Sequence, residues 1–499
     1  MAIITKEISS EISNATENLK SKILAAKDEI VISGKVYYVS DSGDDANDGL
    51  TPETAWKTTD KVSSAKLESG DGVRFKRGNL FRGKVKCQPG VTYAAYGEGE
   101  KPKIYGWDKD LADKALWTLV DKNHNIWKLN EKILDPGTLV FNHGEAHSVK
   151  LIPSYIGGKF VCRDDESRDF DMKNEMVRDL DIFWYFVDRL TTVPSKGKDF
   201  PIPVVDEESY GELYLRCDKG NPGEIYSSIE ALTKRPCFLV GSNENVRIDN
   251  ICIKYIGHHA VAAGGFVKGL HVTNCEIGWI GGTIQNFSGE DPNYPQGGRG
   301  TVVRFGNGVE IYGGCDDYEV SNCYIYESYD AAITHQFTTE GKEMFMKNIV
   351  YKDNLIEKNV YGIEYFLNIV DDSQSYMENI EICGNIMTKA GEGWGQQRHN
   401  VHTPALIKGW SYINTASNFS IHNNIFDRSA YRMLHLVALK EESLPEMYEN
   451  IYVQYDKGMI GQYGANEIKE PDILYFNEDI ENTVKNVFGD EKARVYTIK

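Results

Sequence analysis

No stretch of about 18 apolar residues occurs in this 499-residue chain, so no segment is built to cross a bilayer as a helix. The opening, MAIITKEISSEISNATENLK, lacks the apolar run of a secretory leader. Basic residues are outnumbered: 55 Lys and Arg stand against 74 Asp and Glu, a formal charge of −19. A phosphate backbone is bound through basic surface, so nucleic acid is not an expected partner, and an anionic membrane is disfavoured too. An acidic polysaccharide stays open, because a local basic cleft can sit on an acidic protein. The nine cysteines (Cys87, Cys162, Cys217, Cys237, Cys252, Cys275, Cys315, Cys323 and Cys383) are an odd number with no CxxC pair. That supports neither a disulfide framework nor a zinc site. Reduced thiols in the cytoplasm are the resulting expectation; the oligomeric state is unknown.

What is present is repetition. After residue 244 the segments NVRIDNICIKY, GLHVTNCEIGW, DYEVSNCYIYE, NIVYKDNLIEK, NIEICGNIMTK and NFSIHNNIFDR share alternating apolar positions, then an Asn, then an apolar residue. The Asn falls at Asn250, Asn274, Asn322, Asn354, Asn385 and Asn424, with gaps of 24, 48, 32, 31 and 39. The 48 is two coils' worth, part of it an insertion around 283–300. One coil of a three-sided parallel β-helix needs about this length. Alternation sends one set of side chains inward, and coils stack about 4.8 Å apart, so each inward position becomes a ladder. Aligned on the Asn, one such ladder reads Ile251, Cys275, Cys323, Leu355, Ile386, Ile425. The Asn itself suits the bend between strands, where its amide can satisfy turn backbone groups and stack on the next Asn. A second short strand follows each segment: AVAAGG, GVEIYGG, AAITHQF, YGIEYFL, WGQQR and RMLHLVA. The fold class is therefore all-β, a right-handed parallel β-helix of pectate-lyase type.

Residues 1–34 read as an N-terminal capping helix, with Ile8, Ile12, Leu19, Ile23 and Leu24 near a 3.6-residue period. First coils follow over 35–106, an inserted β-rich subdomain over 107–240, the main coils over 241–440 and a C-terminal segment over 441–499. In the subdomain, Trp184, Tyr185 and Phe186 face either a cleft or their own core. Asp41, Asp44 and Asp45 form either a solvated turn or a structural calcium site; no other cofactor or metal is expected.

In the second-strand ladder, aligning Gly308, Ala332 and Gly362 sends Val309, Ile333 and Ile363 inward. Glu310, Thr334 and Glu364 then face outward, the two glutamates roughly 9–10 Å apart along the backbone ladder. Asp330, four residues before Thr334, has the same parity. The small residues beside these acids leave room above the sheet. Carboxylates on a rigid sheet suit acid and base work. Glycoside hydrolysis needs two of them, about 5 Å apart for retention and about 6.5–9.5 Å for inversion. Crowding would raise one pKa and make a proton donor. Around them, Trp394 is a candidate for stacking a sugar ring and Arg398 for holding a hydroxyl or carboxylate. His335, Gln336 and Tyr365 adjoin the acids, and His258 and His259 extend the face. The SGEDPNYPQGG stretch of the insertion is a Gly/Pro-rich loop suited to overhang the site.

Two groups of motifs carry a resemblance. YYVSDSGDDANDGLTPETAWKT, with Pro52 and Trp56, and the pattern of Gly70, Asp71, Phe75, Arg77 and Gly78 resemble the opening of bacterial right-handed β-helix carbohydrate enzymes. RFGNGVEIYGG, YDAAITHQ, YGIEYF and GEGWGQQR resemble β-helix glycosidases of the β-xylosidase, xylanase and α-L-fucosidase families, some with an inserted β-sandwich. The resemblance spans most of 36–440. It implies that acids on neighbouring coils serve as nucleophile and acid/base: Asp330 and Glu364, with Glu310 as third member. Ala332 departs from the pattern, where related proteins often show Gly. So does the lack of a leader, which points to imported oligosaccharides. Two other readings compete. A polysaccharide lyase acting on uronic-acid polymers would draw on Asp316, Asp317, Asp371 and Asp372 for calcium, and a non-catalytic carbohydrate-binding β-helix would trimerise and release no product.

Overall fold

In the repeat segments the alternating apolar residues become strands that pair in parallel with the next coil, giving three long ladders. The chain is described, in a computed structural model, for residues 2–133, 135–151, 154–156, 159–161, 167–169, 175–176, 184–188, 211–288, 301–339, 341–398, 403–410, 415–465 and 471–498. The first ladder climbs from Leu80–Arg82 through Cys252–Ile256, Tyr324–Ser328 and Ile386–Ala390 to Arg494–Ile498. The second passes through Val309–Ser321, Ala331–Thr338, Tyr361–Asn368, Ala405–Gly409 and Arg432–Ala438 to Met459–Ala465. The third runs from Gly72–Lys76 and Thr92–Tyr96 to Phe345–Lys352, Tyr376–Cys383, Ala416–His422 and Glu446–Tyr448. The 13-residue strands Val261–Thr273 and Val309–Ser321 serve both of the latter ladders. This is the arrangement of a parallel β-helix. Its interior is one apolar column that includes Val309, Ile333, Ile363, Ile407 and Leu434, all fully buried. The ladders continue past residue 440, so part of 441–499 is a further coil.

The repeated Asn carries a one-residue offset that the sequence alignment misses. Tyr324 pairs with Leu355, and Leu355 with Ile386. Cys323 therefore lies level with Asn354, and its amide donates to Asn354 Oδ1 at 2.9 Å. Asn250, Asn274 and Asn322 instead share a rung position with Asp353, Gly384, Asn423 and Glu449, and all of these have positive φ. In the early coils the Asn is the left-handed bend residue, a conformation Asn tolerates. In the later coils the Asn is one step further on and fully buried. There Asn354 donates through both its nitrogens to Asn385 Oδ1 (3.0 and 2.9 Å). Asn385 does the same to Asn424, Asn424 to Asn450, and Asn450 ends the chain on Asp490. The inward partners of this ladder are Ile251, Cys275 and Cys323, not Leu355, Ile386 and Ile425.

The helix Lys6–Leu24 does not cover an end. Thr5 caps it, accepting from Ile8 N at 3.2 Å. Its stripe of Ile12, Ala15, Leu19 and Ile23 lies along the outside of the first ladder, where Ile23 packs with Tyr324, Leu355 and Ile386. Nineteen residues span about 28 Å, the height of about six rungs. At one end Ile4 N bonds Thr497 O, and at the other Asp28 holds Arg77 by two hydrogen bonds of 2.9 and 2.7 Å. Leu355 and Ile386 are apolar because they meet this helix, not because they point inward.

Between the early and main coils the chain forms a five-stranded sheet (Val149–Lys150, Trp184–Asp188, Glu212–Arg216, Ile126–Leu129, Trp117–Asp121) and a three-stranded one. Leu129, Leu139, Phe141, Leu213 and Leu215 belong to a separate apolar cluster here. The side chains of Trp184, Tyr185 and Phe186 lie outside the described residues. Buried Asp135 ties this part to the coils: it accepts from Lys150 Nζ at 2.5 Å, Arg304 Nη1 at 3.0 Å and Ile284 N at 2.8 Å. Of the 283–300 insertion, Ile284–Ser288 pairs with Thr301–Arg304, and the Gly/Pro-rich middle lies outside the described residues. No helix among the described residues is long and apolar enough to cross a membrane.

The Asn ladder is expected to be a major source of stability. Asn385→Ala strips Asn354 N and Nδ2 of their acceptor and leaves the Tyr351 carbonyl without its donor. At about 1–3 kcal/mol for each buried group left unmade, the loss should reach about 3 kcal/mol or more. Asn322→Gly, at a solvent-side bend with φ of 49°, should cost far less. Thermal unfolding of the two variants checks this, and equal losses would refute the ladder's role.

Candidate functional site

The inward set Val309, Ile333, Ile363 and Ile407 is in register across four coils. The next residues along form one outer row: Glu310, Thr334, Glu364, Lys408, His435 and Gln462. The row is outward yet deeply buried, and Glu310, Asp330 and Glu364 are each only 5% exposed. Asp330 reaches this row by a different route from simple alternation. Ala332 and Ile333 both pack in the interior, so the strand bends at Ala332 and brings Asp330 in beside Ala331. The small residues at that bend serve backbone packing. A Cβ on Gly362 would stand 2.3 Å from the Leu406 carbonyl oxygen, and one on Gly308 2.5 Å from that of Ala332. They allow close approach of coils and do not clear space above the sheet.

Each acid has its own company. Glu310 accepts from Asn307 Nδ2 (2.5 Å), Thr334 Oγ1 (2.6 Å) and Gln336 Nε2 (3.1 and 3.2 Å). Asp330 is paired with Arg398, whose Nη1 donates to Oδ1. Glu364 Oε1 accepts from Trp410 Nε1 at 2.8 Å. Lys408 stands beside Glu364 on the next coil, donates to Tyr361 OH at 3.0 Å, and lies over the rings of Trp410 (3.5 Å) and Tyr361 (4.3 Å).

Burial raises all three carboxyl pKa values. For Glu310 neutral donors oppose the rise, and for Asp330 the Arg398 charge does. Glu364 is pushed up to about 7, by burial first and then by the charge of Asp330, against the pull of Lys408. Burial also brings Lys408 down to about 8. The arrangement is a buried carboxyl pair of unequal character, one acid supported by a fixed guanidinium and the other held near the middle of the pH range. Such a pair can give and take protons at a bound substrate.

Several expected residues sit elsewhere. His335 and Tyr365 share the inward parity of Ile333 and Ile363, so they stack inside the column at 5.4 Å, with His335 Nδ1 on Tyr351 OH at 2.8 Å. Neither can touch substrate. The segment WGQQR is not a rung but a 3₁₀ turn, Trp394–Gln397; the rung strand of that coil is Ala405–Gly409. Trp394 is buried against Tyr329 and donates to Glu327 O at 2.7 Å, so its ring offers no open face to a sugar. Its role is to hold the turn that delivers Arg398. Gln336 does face the site. His259 stands behind it, its Nδ1 accepting from Asn307 N at 3.0 Å, and His258 Nδ1 accepts from His259 N. Asp45 spends its carboxylate on Lys57 N, Thr58 N and Thr58 Oγ1, the work of a turn clasp. Asp316 and Asp317 are engaged by Asn348 and His271, and Asp371 by the backbone of Gly341 and Ser373.

Lys408, Trp410, Asn307 and Tyr361 escape the sequence reading. ALIKGW was the available signal: apolar alternation ahead of a Lys two residues before a Trp. Tyr312 was also missed; it is two residues beyond Glu310 and 45% exposed.

No protein-family model matches the chain, and no curated protein matches it by sequence. Solved structures similar to it carry names that refer to a sugar or to glycoside hydrolysis. They include a complex of XylC with xylose (12% identity, TM-score 0.45, 93% of this chain and 82% of that one). A GH136 lacto-N-biosidase from Eubacterium ramulus has 12% identity and a TM-score of 0.32, over 99% of this chain and 71% of that one. A structure named as a glycoside hydrolase has 9% identity and a TM-score of 0.46, over 87% and 95%. At these values the likeness transfers no residue role.

The raised pKa of Glu364 has a stability consequence. A carboxyl whose folded pKa is about 7, above an ordinary 4.5, contributes fully below about pH 4.5 and loses that contribution as pH rises to about 7. Glu364→Gln keeps the acceptor for Trp410 and cannot ionise. Its melting temperature relative to wild type should move in its favour between about pH 5 and pH 8. A difference that stays constant across that range contradicts the raised pKa.

Proposed function

We propose that this protein is a glycoside hydrolase on a right-handed, pectate-lyase-like β-helix, acting through Asp330 and Glu364. The observation that carries the reading is the unequal burial partnership of these two acids. Asp330 sits on Arg398, whose permanent charge favours the carboxylate, which suits a nucleophile or general base. Glu364 is protonated up to about pH 7 and suits the donor to the leaving oxygen. Lys408 assists the proton transfer, because its charge steadies the Glu364 carboxylate that forms. Glu310, saturated by Asn307, Thr334 and Gln336, positions the floor and orients Thr334. Tyr312 is an exposed ring on the same strand for a sugar face. The substrate class is an oligosaccharide or polysaccharide, of plant or host type.

A second reading has one observation behind it. A lysine whose pKa falls to about 8, next to a guanidinium, is the equipment of β-elimination from a uronide, with Lys408 as base and Arg398 as charge neutraliser. The two chemistries leave different products.

The test is a screen of nitrophenyl glycosides, xylo-oligosaccharides, lacto-N-biosides and uronic-acid polymers. On a cleaved glycoside, Asp330→Asn and Glu364→Gln should each lower kcat by about 10²- to 10⁴-fold, and kcat/KM should fall above about pH 7. Both variants retaining full activity would sink the assignment. Ultraviolet absorbance from an unsaturated product, lost in Lys408→Met, would replace it with the lyase.

A further inference from the structure

On a different face, away from these carboxyls, three ligand-type side chains converge. Glu381 and Cys383 are two residues apart on the Tyr376–Cys383 strand, so both project from the same side. Cys383 pairs across coils with His422. His422 Nε2 lies 3.0 Å from Glu381 Oε1, and the sulfur, nitrogen and carboxylate oxygen all fall within 4.8 Å of one another. Among the described residues this is the one such group of three. The imidazole is held in place: Tyr448 stacks on it at 4.4 Å and 7°, and Asn423 Nδ2 lies 3.0 Å from Nδ1. The Glu381 side chain is 46% exposed, which gives an ion a way in from solvent.

We propose that Glu381, Cys383 and His422 form a binding site for a divalent cation of zinc type. One sulfur, one nitrogen and one oxygen ligand match zinc's preference, with water completing a tetrahedron. Tetrahedral ligands at zinc distances stand about 3.3–3.8 Å apart, so the side chains need move only slightly. On binding, the Cys383 thiol releases its proton to solvent, since the thiolate is the ligand. The His422 ring proton moves to Nδ1, and Asn423 turns its amide to accept it. The ion would join two successive coils by side chains, a staple added to the main-chain ladder. His422 lies 39 residues beyond Cys383, on the next coil, and for that reason no CxxC-type spacing announces the group.

The probe is Co²⁺ titrated into the purified full-length protein after chelation. About one equivalent should bind, with a near-ultraviolet thiolate-to-cobalt charge-transfer band and visible bands of tetrahedral cobalt, all displaced by Zn²⁺. Cys383→Ser should abolish the charge-transfer band. His422→Gln and Glu381→Gln should each weaken binding by about 10-fold or more. Glu381 is surface-exposed, so its variant folds regardless, and unchanged melting without metal checks the other two. Absence of saturable binding at micromolar Co²⁺, or a full-strength band in Cys383→Ser, would overturn the site.

Discussion

Each coil is held to the next by parallel main-chain hydrogen bonds, and side chains at equivalent positions consequently stand about 4.8 Å apart whatever their chemistry. That spacing suits apolar columns, which fill by dispersion and burial. It is punishing for like charges. Glu310, Asp330 and Glu364 occupy neighbouring coils, and the rest of the site can be understood as the response to holding them there. Three donors surround Glu310, a guanidinium meets Asp330, and an indole N–H with a nearby ammonium meets Glu364. Lys408 in turn lies between two aromatic rings, which tolerate its charge away from bulk water.

Burying paired ions seldom stabilises a fold, because desolvation offsets the attraction. Here the apolar column, on the inside of the same strands, and the Asn ladder, at the bends of the same coils, supply stability independently. Alternation separates the two tasks: Ile333 and Ile363 pack while Thr334 and Glu364 face the site. The inserted sheets add a second constraint. Asp135, in the insertion, binds Arg304 and Ile284 in the coils. Trp394, from a turn further along, lies against Tyr329, the residue before Asp330.

Much of this was legible in the sequence. Period-two alternation with a recurrent bend residue identifies stacked coils, and Val309, Ile333 and Ile363 point inward as their pattern requires. The outward row at Glu310 and Glu364 follows from that parity alone. What failed did so for physical reasons. Asn at a left-handed bend and Asn buried one residue later look the same in a string, since both precede an apolar residue. His335 and Tyr365 were misread because polar or hydroxylated aromatics suggest a surface, whereas their parity already placed them inside. Trp394 was misread because an aromatic beside Gly and Gln resembles a sugar platform, and its burial depends on residues far away in sequence. Lys408 was missed because the 3₁₀ turn Trp394–Gln397 stands where the rung strand is expected, and that strand, Ala405–Gly409, comes later and supplies a neighbour to Glu364.

Hydrogen bonding and neighbouring charge distinguish Glu310 from Glu364 as a candidate proton donor. A carboxyl that donates a proton needs an oxygen free to face the substrate, and a charge state that environment can move. Glu310 has both oxygens committed to donors from Asn307, Thr334 and Gln336, and every one of these favours its charged form. Taking up a proton would displace one of these donors, and Asn307 is held in place by its own Oδ1, which accepts from Ala331 N at 2.8 Å. Glu364 accepts through Oε1 from Trp410. Its protonated form is favoured by burial and by Asp330, and Lys408 favours the opposite form by a similar route. A group held between such opposed influences changes charge at little cost, which is the property that proton transfer at a leaving oxygen requires. On this ground the proposed donor is Glu364, with Glu310 a fixed part of the frame.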